Sequence, residues 1–323
     1  MRLIEISAAE RRAGALSEAS LAAAMEAVDM AGFVGLVGAV SAETCDRLYD
    51  RQVAEYEWAQ ATFGPFPVRG GGDYEGDRYH GHGPQVAQPW LQADLVSNPF
   101  AIQVTAGLMA GNVHCANIGT NWALPPPPGS EPARQGVHGD AGPLFPGEGW
   151  TPPFILNLSV PLMDFTEENG ATEVWPGTHR LPKQLSDMRS GEERRATLEA
   201  RRAEVPPERM VAPKGTIVIR DPRAWHAGMP NLTDRPRIMV AMRHYIFWMR
   251  NTDGSKGDRI NERVLPVEHG SESIFQHDSL AWRIRSVEAG STDRLYDPVA
   301  RAVPGLDRAE FDAAFREFAQ VTA

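Results

Sequence analysis

After Phe63 the chain is punctuated so densely by glycine and proline that no long helix can persist, and this texture limits the fold more than any other feature. Gly70, Gly71, Gly72, Gly81, Gly83 and Pro84 crowd one stretch, and Pro125 to Pro128 form a four-proline run that must be an exposed extended loop. What lies between such breaks is short and strand-like. In Phe154–Leu162 the residues Phe154, Leu156, Leu158 and Val160 share one face, with Asn157 and Ser159 on the other. Gly215–Arg220 is a brief β-branched run led in by Pro213 and Gly215. Arg235–Trp248 is the longest, with Arg235, Arg237, Met239, Ala241, Arg243 and Tyr245 on one face. Short strands with no alternating βαβ rhythm argue for an antiparallel sandwich or jelly roll.

Helices are expected around this β core. Leu21, Met25 and Val28 recur at helical spacing, and Gly32 is placed to stop that helix. Gly32 to Gly38 reads as a short buried strand. Ser41 is an N-cap for a second helix whose apolar face is Cys45, Leu48, Tyr49, Val53 and Tyr56. Residues about 187–203 form a charged helix inserted between the first two strands, and the polar tail from Asn251 ends in a helix at Arg308–Val321. No internal repeat or second boundary stands out. The chain reads as one domain over 1–323: helical support to about 62, a barrel core at about 100–250 and an extension from about 251.

Composition narrows the class of partner. Of 323 residues 42% are hydrophobic, enough for a real core. The net charge of −10 repels phosphate backbones and anionic headgroups, so nucleic acid and membrane surfaces are excluded as partners. The basic run from Arg194–Arg195 to Arg201–Arg202 is interleaved with Glu192, Glu193, Glu199 and Glu204, which describes a solvated helix face. Two cysteines, Cys45 and Cys115, make no disulfide framework, and Cys45 is expected to be a buried small hydrophobe. The start of the chain carries an acid early, and no stretch reaches membrane-spanning length. A cytoplasmic enzyme is the expectation; a homodimer through the tail or the charged helix is left open.

Nine histidines accompany 42 acidic residues, so one His-x-Asp is expected by chance alone. His138-Gly139-Asp140 gains value from context. In an extended segment, residues i and i+2 point to the same side, so both can ligate one ion, and Gly139 lets the backbone bend close to it. His226, after a β-run and the Asp221-Pro222-Arg223 turn, is the best third ligand. Two histidines and a carboxylate leave three positions open on an octahedral ion, which suits non-haem Fe(II) holding a bidentate co-substrate and O2. Zinc hydrolases also use this ligand set, so the triad alone leaves the metal undecided. Arg237, eleven residues past His226 on the next strand, supplies a planar two-point grip for a distal carboxylate; Arg235 reads as a surface residue.

Five pieces in order resemble the phytanoyl-CoA dioxygenase family of Fe(II)/2-oxoglutarate oxygenases. They are the run from Gly32 to Ser41, Gln135-Gly-Val-His138-Gly-Asp140, the block Asn169 to His179 (Asn-Gly-Ala-Thr-Glu-Val-Trp-Pro-Gly-Thr-His), Trp225-His226, and Arg235-Pro-Arg237. The resemblance spans residues 17 to 248 and implies a mainly β, double-stranded β-helix core with flanking N-terminal and inserted α-helices. It also implies His138, Asp140 and His226 as iron ligands, with Arg237 on the far carboxylate of 2-oxoglutarate. Gln135 and Thr172 match positions where relatives contact the co-substrate, and Asn157 on its polar strand face could reach the same pocket or bond inside the barrel. His179 matches a structural turn. His80 and His82 fall in a Gly-rich loop upstream of the core, facing substrate or solvent.

The implied activity is oxidation of a small molecule by iron, 2-oxoglutarate and O2, releasing succinate and CO2. Hydroxylation is the default outcome, with desaturation, cyclisation or demethylation as variants. Halogenases of this type lack the carboxylate ligand, and Asp140 argues against that branch. Two other classes stay in view: a sensory or non-catalytic jelly roll, expected to have lost a ligand or the arginine, and a cupin-like metal hydrolase or isomerase, which needs no such arginine. Nothing basic and clustered suggests a coenzyme A site, so the family's name does not carry over as a substrate.

Overall fold

The computed structural model describes residues 1–64, 80–82, 93–111, 113–126, 128–129, 131–145, 151–188, 190–246 and 293–322. Gly70–Gly72, Gly83, Pro84, Pro127, Trp248 and the polar stretch 251–292 lie outside them. The large sheet has the spatial order β1-β2-β8-β5-β10-β4-β3. Its strands are β1 (Leu3–Glu5), β2 (Phe33–Val37), β3 (His80–His82), β4 (Val113–Ala123), β5 (Ile155–Pro161), β8 (Ile217–Arg220) and β10 (Arg237–Ile246). Only the β1–β2 pairing is parallel. A small sheet is formed by β7 (Glu208–Arg209), β6 (Glu173–Val174) and β9 (His226–Ala227), in that order. Phe33 and Val218 of the large sheet pack with Val174 beside Met210 of the small one, closing the two into a double-stranded β-helix.

The period-two alternation divides the large sheet cleanly. Leu156, Leu158, Val160, Ile217, Ile219, Ile238, Val240 and Met242 all join one apolar cluster. Against it lie helices α2 (Glu18–Ala31), α3 (Ala42–Phe63) and α5 (Pro99–Leu108), through residues such as Val28, Leu48 and Ile102. Burial of each such side chain contributes about 1.5–3 kcal/mol, so this layer supplies most of the drive to fold. The opposite face carries Asn157, Ser159 and Arg220, which are polar yet buried. The interior of the β-helix, not solvent, receives them.

The helix boundaries obey their caps. Ser17 and Ser41 each accept a backbone N–H three residues on, and Gly32 ends α2 at φ +93°, a left-handed conformation glycine adopts freely. The short helices α1 (Ala8–Ala13) and α4 (Ala93–Val96) precede and follow α3 and its sequel. Helix α6 (Gly191–Glu204) sits between β6 and β7 with no buried residue, and α7 (Asp293–Ala302) and α8 (Arg308–Thr322) end the chain. Trp58 of α3 meets Phe311, Phe315 and Phe318 of α8, which docks the C-terminal helix on the N-terminal support. Among the described residues no helix is long and apolar enough to cross a membrane.

Several expectations are adjusted. His80 and His82 form a short edge strand paired with Ala123 and Asn121 of β4, where the Gly-rich sequence suggests a loop. β4 itself, eleven residues and central, escapes sequence patterning because Asn117, Gly119 and Asn121 interrupt it. Of the described residues of the proline run after β4, Pro125 and Pro126 are half-buried and Pro128 is exposed.

Candidate metal centre

His138 precedes no long strand; a single antiparallel bridge to His226 fixes it. Each histidine's backbone N–H donates to the other's carbonyl, at 2.9 and 2.8 Å, and their ring centroids stand 4.2 Å apart. Asp140 is carried in from the same segment, its N–H and that of Ala141 both donating to the Pro222 carbonyl. The three candidate donor atoms lie within 4.8 Å of one another. Asp140 Oδ1 faces Nε2 of His138 at 3.6 Å and Nε2 of His226 at 3.5 Å. One metal ion could be held by all three.

Gly139 does not have the role its position suggests. An added Cβ would stand 3.4 Å from the Arg223 carbonyl oxygen and farther from all else, which is ordinary contact. The paired N–H bonds to Pro222, rather than glycine's freedom, bring the backbone round.

The outer partners fix the ring orientation. His138 Nδ1 lies 2.9 Å from the Gly136 carbonyl oxygen, and His226 Nδ1 lies 3.2 Å from that of Ala224. A carbonyl only accepts, so His138 Nδ1 carries a proton and its Nε2 is the atom turned to Asp140, whereas His226 Nδ1 also stands 3.1 Å from Arg220 Nη1, a group that only donates. Burial, with the Arg220 cation beside it, pushes the His226 imidazole down to about 3, so it is neutral. Burial raises Asp140, but the Arg220 guanidinium, which also donates a hydrogen bond to it, outweighs that and holds the carboxyl well below the usual range. A carboxylate and two neutral imidazoles are the states a divalent ion requires.

The turn before His226 is rigid for reasons the sequence partly displays. Asp221 and Arg223 form a buried two-point ion pair, and Arg223 also donates to the Thr151 carbonyl. From the Pro-Gly-Thr-His block, Thr178 Oγ1 accepts the Trp225 N–H at 2.8 Å. His179 is buried, with Nε2 3.1 Å from the Asp29 carbonyl oxygen; it serves the frame, as expected.

Arg237 is 1% exposed at the start of β10, with its guanidinium 5.0 Å over the Phe165 ring. Nη2 donates to the Gly170 carbonyl at 3.2 Å, whereas Nε and Nη1 are buried with no partner among the described residues. Burial and nearby Arg209 lower it to about 10, so it stays charged near neutral pH. An unpartnered buried cation is costly and asks for an anion. Gly170 has φ +83°, and a Cβ there would meet the Met229 carbonyl oxygen at 2.6 Å. Gly170→Ala should therefore cost about 1–3 kcal/mol by thermal or urea unfolding.

Other expected positions are less directly placed. Thr172 is buried just before β6. Gln135 Oε1 accepts from the Gly228 N–H at 2.9 Å, leaving only its NH2 for a ligand. Asn157 donates to Asp140 Oδ2 at 2.7 Å, so it bonds inside the barrel beside the metal ligands. Arg235 is exposed, as expected, over the Tyr49 ring. The residue missed by sequence reasoning is Arg220, which donates to the same Asp140 oxygen at 2.7 Å. Its signal was a charge closing an otherwise apolar strand, Ile217-Val218-Ile219-Arg220.

A cavity of about 320 Å³ opens against His138 and Asp140, with Gln184, Leu185 and Arg194 on its far wall. Arg194 belongs to α6 and donates to the Val137 carbonyl, next to the first ligand. The solvated helix face is thus also an anchored one: Arg201 bonds the Pro176 carbonyl, and Arg202 lies 5.0 Å over the Trp175 ring.

A double-stranded β-helix that gathers two histidines and a carboxylate, with Arg237 buried at the start of β10, defines a jelly roll with a candidate metal centre. Comparison with known proteins agrees and narrows it. The chain belongs to the phytanoyl-CoA dioxygenase (PhyH) family, whose model matches residues 28–239. It is 26% identical over 168 residues to dioxygenase af480 of Aspergillus fumigatus, covering 50% of this chain and 46% of that protein. The chain thus spans about half the length of that curated relative. The epimerase SnoN, solved with Fe3+, alpha ketoglutarate and nogalamycin RO, shares the fold at a TM-score of 0.53 and 17% identity, covering 74% of this chain and 92% of that one. AviO1 from Streptomyces viridochromogenes Tue57 aligns at a TM-score of 0.49 and 22% identity, covering 71% and 96% respectively.

Proposed function

We propose that this chain uses Fe(II), 2-oxoglutarate and O2 to oxidise a small-molecule metabolite, with hydroxylation as the default outcome. His138, Asp140 and His226 would hold the iron, and Arg237 the far carboxylate of 2-oxoglutarate. The observation that carries the reading is Arg237: two buried guanidinium nitrogens without partners among the described residues, in a chain that also gathers His138, Asp140 and His226, fit a dianionic chelator and answer no hydrolase requirement.

When bound, iron with 2-oxoglutarate and O2 supplies the oxidative decarboxylation to succinate and CO2 and the oxidising power that removes hydrogen from substrate. The protein's share is positioning. Gly170 and Phe165 fix the guanidinium, the His138–His226 bridge fixes the two imidazoles, and the cavity walled by Leu185 and Arg194 admits the substrate to the iron. The retained Asp140 disfavours halogenation. SnoN, described as an epimerase from nogalamycin biosynthesis, is in keeping with a tailoring step on a free metabolite.

Anaerobic addition of Fe(II) and then 2-oxoglutarate tests this directly. A weak visible charge-transfer band is expected on the second addition, and substrate-dependent succinate release when air is admitted with a panel of metabolites. Intact protein that shows no band would favour the sensory or hydrolytic alternatives.

A further inference from the structure

The two oxygens of Asp140 live in different surroundings. Oδ1 looks toward the histidines, whereas Oδ2 is turned away and accepts from Arg220 Nη2 and Asn157 Nδ2, each at 2.7 Å. These donors arrive together because Arg220 on β8 and Asn157 on β5 are direct cross-strand partners, so their side chains leave the sheet on one face. Both are buried, at 6% and 7% exposure. Arg220 Nη1 also donates to the Ala224 carbonyl at 3.5 Å, tying the guanidinium to the turn that bears His226.

We propose that Arg220, aided by Asn157, is a positioning residue that confines Asp140 to one-oxygen ligation; the inference rests on the iron site proposed above. A carboxylate free to pivot can chelate through both oxygens. On an octahedral ion, three protein ligands leave three positions, of which 2-oxoglutarate takes two and O2 one. A second oxygen from Asp140 would occupy the position O2 needs. Two donors locked on Oδ2 prevent that pivot. The planar guanidinium is suited to the task because it spans Asp140 and the Ala224 carbonyl at once, which an ammonium cannot do with the same geometry.

The test uses Co(II), bound anaerobically to the full chain, with visible absorption and metal affinity as readouts. Arg220→Met is expected to weaken Co(II) binding about 10–100-fold and alter its absorption spectrum, as loss of an outer-shell partner does. Arg220→Lys should recover part of the affinity, and Asn157→Ala should change the spectrum in the same direction by less. If Arg220→Met fails to fold, Asn157→Ala and Arg220→Lys decide the matter. Folded variants that bind Co(II) within about twofold of the parent, with its spectrum unchanged, would overturn the proposal and leave Arg220 a purely structural ion pair. A parent chain that takes up no Co(II) would instead overturn the iron site itself, a failure distinct from that of the variants.

Discussion

Arg237→Met should abolish succinate release and, at the same time, raise the thermal stability of the co-substrate-free protein. The first effect follows from losing a buried charge partner for a carboxylate, a loss worth about 3 kcal/mol or on the order of 100-fold in 2-oxoglutarate affinity. The second follows from Nε and Nη1, which are buried without partners among the described residues. An unmet buried donor costs about 1–3 kcal/mol, and methionine removes that cost while filling similar space. Unfolding with and without 2-oxoglutarate, in the presence of metal, reads both effects. The parent should gain about 2.7 kcal/mol at 100-fold excess over its dissociation constant, and the variant, bound about 100-fold more weakly, only about 0.4 kcal/mol at the same concentration. Arg237→Lys should not rescue, because a point charge lacks the two-point grip. A methionine variant that still binds 2-oxoglutarate normally would contradict the assigned grip.

Asp140→Ala is the second large effect. Iron content and succinate formation should both fall to background, because the two histidines alone leave a metal ion without its carboxylate ligand. Removal also strands the Arg220 cation, which has Asp140 as its carboxylate partner. The metal-free variant is therefore expected to unfold at a lower temperature than the metal-free parent, measured side by side. Near-normal turnover by this variant would sink the triad.

These effects were foreseeable to different depths. The strands of the sheet centre, β5, β8 and β10, announce themselves through period-two alternation, and the helix ends through Ser17, Ser41 and Gly32. His138, Asp140, His226 and Arg237 stand out because their order and spacing match a known pattern. What lay hidden depends on contacts across the chain. β6, β7 and β9 are two residues each, too short for any periodicity, and exist only because they pair with one another. Arg220 is invisible as a partner of Asp140 because eighty residues separate them, and the bond from the Asp140 N–H to the Pro222 carbonyl is what brings the two segments together. Asn157 from its face alone left two readings, a co-substrate contact or a bond inside the barrel, and its hydrogen bond to Asp140 is of the second kind.

Helix α6 borders the cavity without burying a single residue, and it is fastened by arginines to main-chain carbonyls and to one indole face. Main-chain carbonyls are present whatever residue carries them, so the demand on sequence falls on the three arginines, on Trp175 and on Leu198, which packs against the cluster of Trp175 and Trp225. Most substitutions in α6 therefore leave the apolar layer unchanged and fall within the range of about ±0.5 kcal/mol expected of surface positions. The iron-bearing scaffold can be inherited intact while the helix over its mouth drifts, which lets a lineage explore new substrates at little risk to folding.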